Sequence, residues 1–220
     1  MDEPRIGVIG YKSKQTRIWI RPPIEHLQAF WERGTFYELR LLEYIQKWHR
    51  GGTFIDVGSS IGNHTLFFLA HCNPDLVVSI EPARASLEHQ KANLSLNDFE
   101  DKVLLLYLAL GNSSGWAKME KFGSNLGQYS ISEGHEVQVL TLDSVVRERK
   151  IRGITLLKID VEGYELEVLE GSEETLKKEH PSVFVEVFRS GNHPKIWSLL
   201  EALGYSRGRR WSNMFEFKYP

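Results

Sequence analysis

The chain has 220 residues, with 27 basic against 29 acidic side chains and a formal net charge of −2. It is long enough for one full hydrophobic core and too short for a catalytic domain plus a sizeable second one. The near balance of charge leaves no global basic field to draw in nucleic acid, and the single cysteine, Cys72, excludes an internal disulfide and suits a reducing cytoplasm. The start Met1-Asp2-Glu3-Pro4-Arg5 is acidic and has no long apolar stretch behind it, so neither a secretory signal nor a transmembrane anchor is expected there.

Strand and helix periodicities alternate along the whole chain. Residues 16–20 alternate polar and apolar as a strand does, and Pro22-Pro23 ends the run. A helix over about 37–48 places Leu41, Leu42, Ile45 and Trp48 on one face, and Gly51-Gly52 stops it. Then the pattern predicts strand 53–57, helix 64–71, strand 76–80, helix 84–96 and strand 103–109. A polar excursion over 111–135 contains Gly123-Ser124-Asn125-Leu126-Gly127-Gln128-Tyr129-Ser130, a composition that suits a mobile lid or a plain surface connection. Strand 136–140, helix 142–149, strand 154–159, helix 165–179, strand 182–188 and helix 194–203 follow. Segments 205–210 and 214–219 read as a closing hairpin.

This alternation predicts an α/β fold: a doubly wound, mostly parallel seven-stranded sheet with a C-terminal antiparallel hairpin and helices on both faces. Residues 1–35 read as an N-terminal strand and helix extension ahead of a main domain over 36–220. In such sheets ligands lie outside the carboxyl ends of the strands, where the strand order reverses. Asp56, Glu81, Ala109 and Asp160 all fall at such ends.

The run Phe54-Ile55-Asp56-Val57-Gly58-Ser59-Ser60-Ile61-Gly62-Asn63 takes a buried-strand pattern straight into a tight glycine turn. Gly58 and Gly62 let the backbone turn sharply and come close to a ligand, and the following helix offers its N-terminus. A second apolar strand ends at Glu81, at the distance expected for a carboxylate that accepts two hydrogen bonds from a ribose diol. Ser60 stands where the dinucleotide fingerprint has its middle glycine, which moves the reading from NAD to S-adenosylmethionine, a cofactor without a phosphate.

Three blocks carry a resemblance to the FkbM-type methyltransferases, S-adenosylmethionine-dependent enzymes of the Rossmann-like class. The first is the glycine turn continued through His64-Thr65; the second is Ile80-Glu81-Pro82, with Asn93 and Asn97 after it. The third is Leu157-Lys158-Ile159-Asp160-Val161-Glu162-Gly163-Tyr164-Glu165, followed by Val168-Leu169-Glu170-Gly171 and Pro181-Ser182-Val183-Phe184-Val185-Glu186. The similarity runs from about Gly34 to the C-terminus. It implies cofactor contacts from Asp56, Gly58, Ser60, Gly62, Asn63, His64, Glu81, Pro82, Ala109 and Asp160. Asp56 can also serve the turn itself, and Asn63 and His64 can be a helix cap and a solvated imidazole.

Chemistry is expected at the third block. Lys158 and Asp160 share a strand face by the period of two, so a cation and a carboxylate stand together at a strand end. A hydroxyl is a weak nucleophile while protonated, and a positioned carboxylate with a nearby cation can manage its proton. Asp160 is therefore the first candidate for base or acceptor-positioning group, with Lys158 as its electrostatic partner and Glu162 and Glu186 behind it. A buried salt bridge is the alternative for Lys158 and Asp160. A divalent metal on Asp160, Glu186 and Asp143 is left open, since the spacing does not demand one. Arg207, Arg209 and Arg210 beside Asn213 form either a solvated turn or a clamp for an anionic acceptor.

The combined reading is an O-methyltransferase acting on a hydroxyl of a small molecule, sugar or glycan intermediate. An RNA ribose 2′-O-methyltransferase and a non-catalytic nucleoside-binding subunit are the alternatives.

Overall fold

The computed structural model describes residues 3–22, 26–121, 129–134, 136–187 and 193–220. The chain opens with an antiparallel hairpin of β1 (Arg5–Tyr11) and β2 (Lys14–Ile20). Only the second arm was legible as a strand, because Gly7 and Gly10 interrupt the first, which leaves Ile6 and Val8 exposed and buries Ile9 and Tyr11. Two helices follow, α1 (His26–Glu32) and α2 (Leu39–Trp48). Leu41, Leu42 and Ile45 of α2 are buried as its periodicity predicts, whereas Trp48 closes the last turn at 58% exposure, beyond the core.

The central run is β3 (Thr53–Val57), α3 (Asn63–Phe67), β4 (Leu76–Ile80), α4 (Arg84–Ser95) and β5 (Val103–Leu106). The helix expected over 64–71 passes into a π-helical turn, Phe68–Cys72. Strand 103–109 divides into β5 and the short β6 (Ala109–Leu110). The 111–135 excursion is more ordered than its composition suggests. It holds β7 (Gly115–Lys121) and β8 (Tyr129–Glu133), which with β6 and β9 (Val137–Leu140) make a four-stranded sheet in the order β6-β9-β7-β8. The lid motif over 123–128 lies outside the described residues.

Next come α5 (Leu142–Glu148), β10 (Ile154–Ile159), α6 (Glu165–Glu170), α7 (Glu173–Glu179), β11 (Ser182–Glu186), α8 (His193–Ala202), β12 (Ser206–Trp211) and β13 (Met214–Lys218). The single helix expected over 165–179 is two. Asp143 of α5 accepts hydrogen bonds from the backbone N–H groups of Glu174 (3.0 Å) and Thr175 (2.8 Å), and so caps a fresh helix start. That carboxylate is thereby spent on α7.

The main sheet has the order β12-β13-β11-β10-β3-β4-β5, with β13 alone running against its neighbours. The chain winds outward from β3 to β5, then returns to β10 and winds the other way, so the order reverses between β3 and β10. Both faces are covered, as the continuous apolar strands require. Phe54, Leu156 and Phe184 pack under the hairpin, α1, α2 and α3, while Ile55, Leu157 and Val183 pack on the side of α5 to α8. In register, Lys158 of β10 lies directly beside Asp56 of β3.

Candidate active site

A cavity of about 550 Å³ opens at the reversal point, outside the carboxyl ends of β3, β4, β10 and β11. Its volume lies within the range typical of small-molecule sites.

At one end stands Glu81. Its Oε2 accepts a hydrogen bond from the backbone N–H of Ser60 at 2.8 Å, and its Oε1 accepts one from the N–H of Ala83, also at 2.8 Å. These bonds fix both oxygens and leave each a second lone pair. Burial pushes the Glu81 carboxyl up to about 7, against the two backbone donors that favour its charge. The carboxylate is thus oriented but short of solvation, the state in which two added hydroxyl donors help most. Pro82, Leu108 and Ala109 line the neighbouring wall.

The turn between β3 and α3 is shaped by the protein's own packing. A Cβ on Gly58 would lie 1.7 Å from the carbonyl oxygen of Asp160, and φ at Gly58 is +72°. A Cβ on Gly62 would meet Gln90 Cγ at 2.7 Å, with φ at +93°. The sequence reading assigned these glycines to the approach of a ligand; in the structure, close packing of the loop after β10 and of α4 already demands them.

At the other end, Lys158 sits 1% exposed beneath the floor, its Nζ 3.2 Å from Asp56 Oδ1, 3.4 Å from Asp160 Oδ2 and 3.2 Å from the Gly58 carbonyl oxygen. Burial alone would favour the neutral amine, but Asp56 and Asp160 outweigh it and hold the ammonium charged. Asp56 is fully buried and also accepts a hydrogen bond from the Thr65 hydroxyl at 2.7 Å. Asp160 reaches the cavity. Burial works to raise its carboxyl, yet Lys158 and a hydrogen bond from Glu186 hold it below the usual carboxylate range. Glu186, from the end of β11, shows the reverse: burial and the adjacent Asp160 charge push it up to about 10. The two carboxyls therefore share one proton, with Asp160 ionised and Glu186 protonated at neutral pH.

The cavity wall is completed by Tyr37 and Glu38, which precede α2. Burial raises the Tyr37 phenol, and Glu38, Asp160 and Glu186 add to the shift, so it stays a neutral hydroxyl. Asn63 fixes this segment: its Oδ1 accepts the Tyr37 N–H at 3.0 Å and the Trp31 indole N–H at 3.1 Å, and its Nδ2 donates to the Tyr37 carbonyl at 3.1 Å. Beside it, His64 Nε2 lies 3.2 Å from Glu38 Oε2. Glu162 stands exposed at the rim with φ at +57°, and burial of its carboxyl, with Asp160 and Glu165 nearby, raises it. Glu165 holds the loop below it, accepting the N–H groups of Val161 (3.2 Å) and Gly163 (3.0 Å).

The matching family carries the description Methyltransferase FkbM domain, over residues 56–207 of this chain. The chain belongs to the FkbM methyltransferase family. Among relatives of this FkbM protein, Methyltransferase sdnD from Sordaria araneosa is 28% identical over 187 residues, 69% of this chain and 72% of that one. Hexuronic acid methyltransferase AglP from Haloferax volcanii is 27% identical over 196 residues, 86% of this chain and 75% of that one. Of solved structures, Methyltransferase FkbM from Methylobacillus flagellatus KT superposes with a TM-score of 0.58 at 17% identity, covering 81% of this chain. This chain spans half of that one, 50%. SMU.1697c from Streptococcus mutans, solved in complex with SAH, gives a TM-score of 0.53 at 11% identity and covers 82% of this chain and 96% of that one. The family points to S-adenosylmethionine as the cofactor.

Of the residues singled out from the sequence of this FkbM protein, Gly58, Ser60, Glu81, Pro82, Ala109, Asp160 and Glu162 line the cavity. Asp56, Gly62, Asn63, His64 and Lys158 do not; they hold the lining from behind. Glu186, Tyr164 and Asn213, also named from the sequence, line it too, as do Tyr37 and Glu38, which carried no signal of spacing. The arginines of the closing hairpin go elsewhere: Arg207 pairs with Glu201 at 3.3 Å, Arg209 lies over the Tyr44 ring, and Arg210 donates to the Ser212 carbonyl at 2.6 Å. Among the described residues, no group of three or more His, Cys, Asp or Glu could hold a metal ion, and no helix is long and apolar enough to cross a membrane.

Proposed function

We propose that the chain is an S-adenosylmethionine-dependent O-methyltransferase acting on a hydroxyl of a small molecule, sugar or glycan intermediate. The observation that carries this reading is one cavity with an oriented, underpartnered carboxylate, Glu81, at one end and the proton-sharing pair Asp160–Glu186 at the other.

The oriented lone pairs of Glu81 fit a ribose diol, and Pro82, Leu108 and Ala109 offer apolar surface for an adenine ring. Gly58 and Ser60 wall the space between Glu81 and Asp160. When bound, the cofactor supplies a methyl group already activated on a sulfonium. What remains for the protein is alignment and one proton. Asp160, held ionised by Lys158, accepts the proton of the acceptor hydroxyl, a role worth roughly 10²–10⁴-fold in rate. Glu186, protonated, and the neutral Tyr37 phenol face the same space as hydrogen-bond donors. Lys158 does not reach the acceptor; it ties Asp56, Asp160 and the Gly58 carbonyl together and sets the charge of the base.

The relative named as a hexuronic acid methyltransferase supports a sugar hydroxyl as acceptor. Carboxylates from Glu38, Asp160 and Glu162 around the acceptor space work against an RNA backbone. The lone buried thiol, Cys72, supports a cytoplasmic location. The test is methyl transfer from radiolabelled cofactor to a panel of sugar hydroxyls, run with the wild type and Asp160→Asn. Transfer that Asp160→Asn removes supports the assignment, and equal transfer by both would overturn the role of Asp160.

A further inference from the structure

We infer that the cavity discriminates its cofactor by charge, holding the cationic sulfonium form more tightly than the neutral thioether left after methyl loss, through the carboxylates of Glu38, Asp160 and Glu162. This rests on the cofactor reading above and adds to it a preference that the fold alone does not imply.

The argument begins with what lines the walls. Five carboxyl groups, from Glu38, Glu81, Asp160, Glu162 and the protonated Glu186, surround one space, and among the described lining residues no lysine or arginine faces them. Of the groups that could offset them, Lys158 is 1% exposed and occupied below the floor by Asp56, Asp160 and the Gly58 carbonyl, and His64 lies behind the wall, its Nε2 3.2 Å from Glu38 Oε2. The single charge of Lys158 is set against two carboxylates, so the group as a whole stays negative. Glu38 is held over the cavity by the Asn63 clamp on Tyr37, in a left-handed backbone conformation with φ at +54°. Glu162 is likewise held with φ at +57° by the loop that Glu165 ties. The backbone of both residues is thus held at the cavity wall.

Burial is the main cause of the raised Glu162 and Glu186 carboxyls, and the Asp160 charge beside them adds to it in both. A site that resists a further negative charge welcomes a positive one, and at protein-like effective dielectric a single charge several ångströms away is worth about tenfold in affinity or more. The consequence is functional. Methyl transfer removes the charge that the walls favour, so the spent cofactor is held less tightly than the fresh one.

Calorimetric titration of the full chain with S-adenosylmethionine, S-adenosylhomocysteine and sinefungin, which carries an amine at the methyl position, tests this at one pH and one ionic strength. The expected result is that the two cationic ligands bind at least about tenfold more tightly than the thioether. Glu162→Gln, at an exposed position where folding is not at stake, and Glu38→Gln should each narrow that ratio. If sinefungin binds as the thioether does, methyl shape and not charge sets the preference, and the inference fails. Equal affinity for all three, or tighter thioether binding, overturns it while leaving the cofactor reading intact. If none of the three binds, the cofactor reading itself falls, and the inference with it.

Discussion

At the Glu81 end of the cavity, a carboxylate is positioned by main-chain N–H groups from two loops, and the loops themselves are shaped by glycines that the surrounding packing requires. At the Asp160 end, position and charge come from side chains on separate strands and from a segment before α2: Lys158, Glu186, Tyr37 and Glu38, the last two held by Asn63 and His64. The first arrangement depends on local chain geometry, so it tolerates little change and serves one ligand. The second is a network of interchangeable side chains, in which charge can be retuned without rebuilding the backbone. On the proposed reading, the first end holds the methyl donor and the second the acceptor.

The difference can be broken most severely at Gly58. Gly58→Ala puts a methyl group 1.7 Å from the Asp160 carbonyl and forces a positive φ on a residue with a Cβ; the expected outcome is a protein that no longer folds cooperatively, read by circular dichroism and thermal melting. Lys158→Met strikes the other end. It leaves Asp56 and Asp160 buried without their cation, and a loss of about 3–5 kcal/mol is expected in urea denaturation. Glu81→Ala should be milder and specific, weakening cofactor binding by about 1.5–3 kcal/mol with little change in melting temperature.

Titration separates the two ends further. Glu81 is pushed up to about 7, and a diol bound to its ionised form draws it down. Cofactor affinity should therefore rise as pH increases from 6 to 8, by up to about tenfold per unit below the apparent pKa, and flatten above it. Glu186 is raised in the folded state, from 4.5 to about 10. Its contribution to stability is present in full below the unfolded value and is lost as pH rises toward 10. Glu186→Gln should remove that part of the alkaline decline in the urea midpoint.

The same contrast explains what the sequence made legible. Strands 76–80 and 154–159, the glycine turn and Glu81 are local features, written in contiguous β-branched runs and glycine spacing, and the structure places each of them where the pattern predicts. The register of β10 on β3 then brings Lys158 beside Asp56, a contact across about a hundred residues of chain that alternation alone does not specify. Tyr37 and Glu38 are held at the site by Asn63 and His64, whose spacing resembles an ordinary helix start. The helix expected over 165–179 divides because Asp143, far back in the chain, caps its second half. The arginines of the hairpin read as a solvated turn or a clamp by composition, and the fold spends them on Glu201, Tyr44 and the Ser212 carbonyl.

The most direct test of the account is a calorimetric titration of S-adenosylmethionine into the wild-type chain and into Glu81→Ala, with NAD titrated into the wild type beside them. The account predicts micromolar binding of S-adenosylmethionine, a loss of that binding in Glu81→Ala at unchanged fold, and no heat from NAD. Binding that Glu81→Ala leaves intact, or tight binding of NAD in place of S-adenosylmethionine, would contradict it.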